Sequence, residues 1–237
     1  MLIANLRKNC TACAPIFAVV DPTTEDTFFV NAQLLARKLS NRSTNEDRKS
    51  LVNRSGLILE NVTFVLLDEP PQALESPPEP LEPILERLYV ELCLSSLESS
   101  HTSTASLPEL VLLPSDNLNP HVQVPLAGIL LDYPIAYVPM PKPRSHDTPS
   151  YLNRHALYAF DICLRPLRTG DALELMKFSC PAEFLAPESS TTRNLNALRE
   201  QLEVVIQNLN SNIDGGDGPQ WEIVFSHSRI TMDRVAL

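Results

Sequence analysis

The chain predicts an α+β fold: a mixed, largely antiparallel sheet covered by helices, in a single domain over residues 1–237. Two observations carry that reading. The C-terminal half runs strand, strand, strand, helix, strand, an order that suits antiparallel neighbours. Its one long helix, Thr192 to Ile213, has Leu195, Leu198, Leu202, Val205, Ile206, Leu209 and Ile213 on a continuous stripe that needs a sheet to cover it.

The elements follow in order. Ile16 to Asp21 is a short apolar run ending at Asp-Pro, a strand and a turn, and Thr27 to Val30 returns as its hairpin partner. Ala32 to Leu39 places Leu34, Leu35 and Leu39 on one side of a short helix. Ser40 to Ser55 is a polar loop, and Val62 to Leu67 a second β-branched and aliphatic strand. Asp68 to Pro83 carries six prolines among glutamates and reads as an exposed, extended insert. Its two P-x-x-P matches lack the flanking base that an acidic reader domain pairs with. Leu81 to Leu97 is a helix with Leu81, Leu85, Leu88 and Leu92 in register, followed by a Ser/Thr loop at 95–106 and a short strand at Val111 to Leu113. Gly128 to Val138, Ala156 to Leu164 and Leu173 to Ser179 are strand-like. Thr191 or Thr192 caps the long helix, and Trp221 to Phe225 alternates as the last strand.

Composition removes whole classes of function. The chain has only six glycines against 21 prolines. Backbone that wraps a phosphate needs glycine to turn and approach closely. No G-x-x-x-x-G-K-[ST], G-x-G-x-x-G or G-x-S-x-G pattern occurs. The formal net charge is −10, which disfavours nucleic acid and anionic membrane surfaces as partners. The N-terminal apolar run is too short for a secretory signal, and no apolar run spans a bilayer, so a cytoplasmic or nuclear location is expected. The five cysteines then read as free thiols, and the lone Cys10-x-x-Cys13 pair lacks the second pair that zinc requires. No cofactor and no metal site is expected.

Candidate site residues come from one predicted hairpin. Leu131, Tyr133, Ile135 and Tyr137 share a face of the first strand, and Tyr158, Phe160, Ile162 and Leu164 share one of the next. Pairing those faces with the shortest closing register puts Tyr133 opposite Phe160 and Asp132 opposite Asp161. Two opposed carboxylates repel, bind a cation or shift a pKa, so Asp132 and Asp161 are either a paired-carboxylate centre or two solvated aspartates. The connecting loop is the one basic stretch of the chain. Lys142, Arg144, Arg154 and His155 are its candidate binding residues for a phosphate or an acidic segment. Asp21 and Asp68 each end a strand, where parallel neighbours would gather carboxylates at a sheet edge, or where each simply makes a turn ahead of proline.

The stretch Leu130-Leu-Asp-Tyr133-Pro134-Ile-Ala-Tyr137 resembles an L-x-x-Y-P-x-x-Y signature of the eukaryotic chromosome 1 open reading frame 74 type family. Tyr158 to Leu164 and the terminal Arg-Val-Ala-Leu237 are compatible with it. The resemblance implies an intracellular eukaryotic protein and supplies no catalytic residue or cofactor. The leading expectation is a non-enzymatic protein-interaction module with a protein partner. The alternative is a divalent-metal-dependent hydrolase or transferase working through the paired aspartates.

Overall fold

The computed structural model describes residues 2–40, 59, 61–97, 108–114, 118–140, 152, 155–168, 170–211 and 220–231. The elements are helix α1 (Leu2–Asn9), strands β1 (Ile16–Val20) and β2 (Thr27–Asn31), α2 (Ala32–Ser40), β3 (Thr63–Leu66), β4 (Gln72–Leu74), α3 (Glu82–Leu97), β5 (Leu110–Leu112), α4 (Pro120–Leu130), β6 (Ile135–Val138), β7 (Ala156–Pro166), β8 (Leu173–Pro181), α5 (Ser190–Ser211) and β9 (Trp221–Thr231). They form three three-stranded sheets with orders β2-β1-β5, β4-β3-β6 and β8-β7-β9. The fold is α+β. Among the described residues no helix is long and apolar enough to cross a membrane.

The chain divides into two compact units. The first is Met1–Glu60, Leu74–Asp132 and Ala136–Pro141; the second is Asn61–Ala73, Tyr133–Ile135 and Lys142–Leu237. In the first, β1 lies between β2, antiparallel, and β5, parallel. Phe17 and Val19 point from one face of β1 and are fully buried. The opposite face carries Phe29 and Leu110 beside Ala18, both about half exposed. Asn31 ends the hairpin and caps α2, its Oδ1 accepting the Gln33 and Leu34 N–H groups at 3.0 and 3.2 Å. Leu35 and Leu39 of α2 and Ile84, Leu85 and Leu88 of α3 complete the buried set at helical spacing. Helix α1 lacks a sequence signal. It is tied down by Arg7, whose Nε donates to the Ile16 carbonyl at 2.8 Å and whose Nη2 donates to that of Pro108 at 2.9 Å.

Two expectations are corrected. Residues 128–130 belong to α4, not to a strand. A short apolar run cannot tell a buried helix from a strand by itself. The run extends backwards with Val122, Leu126 and Ile129 buried at helical spacing, and Pro120 suits a first helical turn. The proline-rich stretch 68–83 is not a solvated insert either. It holds β4 and a 3₁₀ turn at Glu79–Leu81, and Pro71, Pro77, Pro78 and Leu81 are buried. Proline brings an apolar ring and no donor to satisfy, so burying it at a bend costs little. Of the Ser/Thr loop at 95–106, Ser95 to Leu97 continue α3, and 98–106 lie outside the described residues, as does the loop at 41–55.

The second unit is built on β8-β7-β9. Strand β7 is central, antiparallel to both neighbours. Its register with β9 runs unbroken over eleven pairs, whereas that with β8 shifts between Ile162 and Cys163. Helix α5 starts at a cap supplied by Ser189, ahead of the expected Thr191 or Thr192: its Oγ accepts the Thr192 N–H at 3.1 Å. The Thr191 hydroxyl is instead buried and donates to Thr63 Oγ1 at 3.3 Å, and Asn194 Nδ2 donates to the same oxygen at 3.0 Å. At the far end, the Asn210 amide bonds the backbone of Trp221 twice, at 2.8 and 2.9 Å. Of the predicted stripe, Leu198 and Ile206 are buried, while Val205 and Leu209 remain 53% and 42% exposed.

The turn from β7 to β8 depends on Gly170, which sits at φ +132 with Pro166 Cγ only 2.9 Å from where a Cβ would be. Gly170→Ala is expected to lower stability by about 1–2 kcal/mol, because both the backbone angle and the proline ring oppose a methyl group. Urea unfolding monitored at Trp221 checks this, and an unchanged midpoint would refute it.

Candidate functional site

The regular pairing of β7 with its neighbours aligns side chains in rows across one face of the sheet. Phe178 of β8, Phe160 of β7 and His227 of β9 form one row. Cys180, Tyr158 and Arg229 form the next, and Met176, Ile162 and Phe225 the one on the other side. The Phe160 and Phe178 rings are stacked at 5.1 Å with planes 14° apart. His227 lies 5.7 Å from the Phe160 ring and 5.5 Å from that of Tyr158.

These rings are one wall of a half-open groove of about 500 Å³. The other wall is the first turns of α5, with Thr192, Leu195, Asn196 and Arg199. Ala182 and Leu185, from the 3₁₀ turn after β8, close one end. The Arg199 guanidinium lies 4.9 Å over the Phe225 ring, and its Nε is 3.5 Å from the exposed Glu203 carboxylate. Among the described lining residues there is no carboxylate, in a chain whose net charge is −10. The groove therefore offers flat aromatic surface, a fixed cation, an amide and a hydroxyl. That combination holds an apolar or aromatic group and tolerates negative charge beside it.

The expected pairing of Asp132 with Asp161 does not occur. Strand β7 takes β8 and β9 as partners and β6 belongs with β3, so Asp161 stands opposite Lys177 and Ser226. Its Oδ1 accepts the Cys163 thiol at 3.2 Å, and that bond, with burial and the carboxylate charge, holds the thiol above its ordinary pKa. Asp132 instead ends α4 in the left-handed conformation, φ 64, and forms an ion pair with Lys38 of α2. Of the expected basic loop, Lys142, Arg144 and Arg154 lie outside the described residues. His155 is half-buried, its Nδ1 4.0 Å from the Glu183 carboxylate, and does not line the groove. Among the described residues no group of three or more His, Cys, Asp or Glu side chains is placed to hold a metal ion.

Asp21 takes the turn role. It is 4% exposed, and its Oδ1 accepts the Thr23 N–H at 2.8 Å, the Thr23 hydroxyl at 2.6 Å and the Thr24 N–H at 3.4 Å. Gln123 Nε2 donates to Oδ2 at 2.9 Å. Burial pushes the carboxyl up, but the four donors outweigh it and hold the pKa below the ordinary 3.8. A depressed folded pKa means stability that is present above the unfolded value and is lost as pH falls through the folded one. Asp21→Asn turns one acceptor into a donor facing Gln123. It is expected to cost about 1–2 kcal/mol at neutral pH and to flatten the stability profile below about pH 4. Thermal melts from pH 7 to pH 2 measure both effects; a variant that keeps the wild-type acid slope contradicts the assignment.

Among the described residues no cysteine lines the groove. Cys180 is buried, and burial, with a smaller push from Glu183, raises its thiol to about 12. Cys13 is held above its ordinary value by a hydrogen bond with Cys10, then by burial and the Cys10 charge.

The sequence reading misses the groove because it pairs the Tyr158 and Phe160 face with the Tyr133 strand, whereas β7 lies between β8 and β9. The signal that pointed nearest was the Tyr133-Pro134 motif, since the Tyr133 ring lies 6.0 Å from that of Phe178. No family model matches the chain, and no curated protein or solved structure matches it significantly.

Proposed function

We propose that this chain is a non-enzymatic protein-interaction module and that a partner docks a side chain into the groove of its second unit. The observation that carries the reading is the Phe178–Phe160–His227 row, its two phenyl rings stacked and the imidazole tilted beside them, left open beside Arg199. Partly exposed aromatic groups beside an arginine are the composition of binding hot spots. Among the described residues, the groups with displaced pKa values, Asp21, Cys13, Cys163 and Cys180, do not line this groove, which favours holding over proton transfer there. The reading places the protein in the cytoplasm or nucleus, in keeping with the free thiols of Cys13, Cys163 and Cys180. It also keeps the family resemblance, whose Tyr133 packs beside the groove.

The test is photo-crosslinking of the full chain in cells. A benzophenone amino acid replaces Asn196 in the groove wall or, as a control, Val204, which is 55% exposed farther along α5. A discrete adduct from position 196 that is absent from 204 supports the reading. The same adducts from both positions, or none from either, refute it.

A further inference from the structure

We infer that the groove's partner is an extended acidic segment that adds to the free edge of β9 and drops an aromatic or long aliphatic side chain over Phe160 and His227. The inference rests on the binding role just proposed and names the chemistry of the partner.

The two edges of the second unit's sheet differ in a way that decides which one receives a strand. Exposed edges invite pairing, and proteins blunt them with bulges, lysine, proline or inward charge. The β8 edge has the first three. Its register with β7 shifts at Ile162/Cys163, Lys177 pairs with Glu174 at 3.8 Å along the strand, and Pro181 ends it. The β9 edge has no proline, no lysine and no break in register over eleven pairs. Among the described strands it has β7 on one side and none on the other. At its start, the Asn210 amide already bonds the Trp221 backbone as a neighbouring strand would. From Ser226 to Arg229 the strand is exposed on both faces.

Charge selects the occupant. The face that β9 turns toward the groove carries His227 in the lining and Arg229 two residues on, and Arg199 of α5 lines the groove over Phe225. Among the described residues, Glu203 meets Arg199 but lies outside the lining. Glu222 of β9 is engaged with Arg165 on the opposite face of the sheet. An added strand places alternate side chains on the groove side, so carboxylates at those positions meet Arg229 and Arg199, and an aromatic between them meets the Phe160–His227 row. A second copy of the chain suits the edge less well. It brings Arg229 against its own kind and a net charge of −10 against another −10.

The test pans a library of random dodecapeptides on phage against the full chain and follows the enriched sequence as a synthetic peptide by fluorescence anisotropy. The expected sequence is acidic, free of proline at its centre, and carries one aromatic or long aliphatic anchor. N-methylation of alternate peptide amides and the variant Arg199→Glu/Arg229→Glu are each expected to weaken binding by about tenfold or more, whereas Lys177→Glu on the β8 edge changes it by less than about twofold. Trp221 fluorescence confirms that the variants fold. A basic or proline-rich sequence, binding that survives N-methylation, or loss on Lys177→Glu instead overturns the inference. So does phenyl phosphate binding in the groove when no peptide is enriched, or a dimer in sedimentation that Arg229→Glu dissolves. Failure of the panning with success of crosslinking at position 196 leaves the interaction reading standing and removes this one; failure of both removes both.

Discussion

Phe17→Ala is expected to destabilise the first unit by about 3–5 kcal/mol, the largest effect of any single truncation considered for this chain. Phe17 has no exposed surface and sits on β1, the central strand, opposite Val30. Both neighbouring strands are hydrogen-bonded to β1, so the strand cannot move inward to refill the space without breaking a ladder. The full transfer and cavity costs therefore fall on the mutant. Phe29→Ala is the matched control. It removes the same ring from the neighbouring strand, but from the opposite face, where the ring is 53% exposed. Its cost is expected to stay within about 0.5–1 kcal/mol. Urea unfolding by far-UV circular dichroism gives both values. The single tryptophan, Trp221, lies in the other unit and does not report this change directly. Equal shifts for the two variants would mean that the buried face of β1 has been misassigned.

Local physics was legible wherever one segment decided its own fate. The β1–β2 hairpin follows from a short apolar run that ends at an Asp-Pro turn, and α3 and α5 from leucines at helical spacing. What failed were choices between partners. The run from Gly128 to Val138 satisfies both a buried helix and a buried strand, and only the helical burial of Val122, Leu126 and Ile129 separates them. With that run read as one strand, pairing it with the next in sequence was the natural choice, since sequential strands are usually neighbours. Here β6 joins β3 and β7 joins β8 and β9, and the Asp132–Asp161 pair disappears with the register that created it. The groove was hidden for a related reason. Alternation places Tyr158, Phe160 and Ile162 on one face, but it does not say how far α5 reaches along that face. Ile162 is 1% exposed, whereas Phe160 and Tyr158 keep part of their surface and become a wall.

Phe160→Ala is expected to weaken capture of the partner by about 30- to 100-fold, because a ring at the centre of the wall is the position where truncation costs most. Phe160 touches both Phe178 and His227, so its loss removes the contact surface and frees two neighbours to turn into the gap. Alanine alone would leave the cause ambiguous, since the packing of the sheet face is weakened as well. Phe160→Leu separates the two effects. Leucine keeps most of the apolar volume, so stability should fall by less than about 1.5 kcal/mol. It lacks the flat face that stacks on Phe178, and capture should still weaken by about tenfold. The crosslinking yield from position 196, read beside a urea melt of each variant, gives both quantities. Capture by Phe160→Leu at the wild-type level would mean that the groove selects by apolar volume and not by ring geometry. The aromatic row would then be a feature of how the sheet packs, and Arg199 with the β9 edge would carry the recognition.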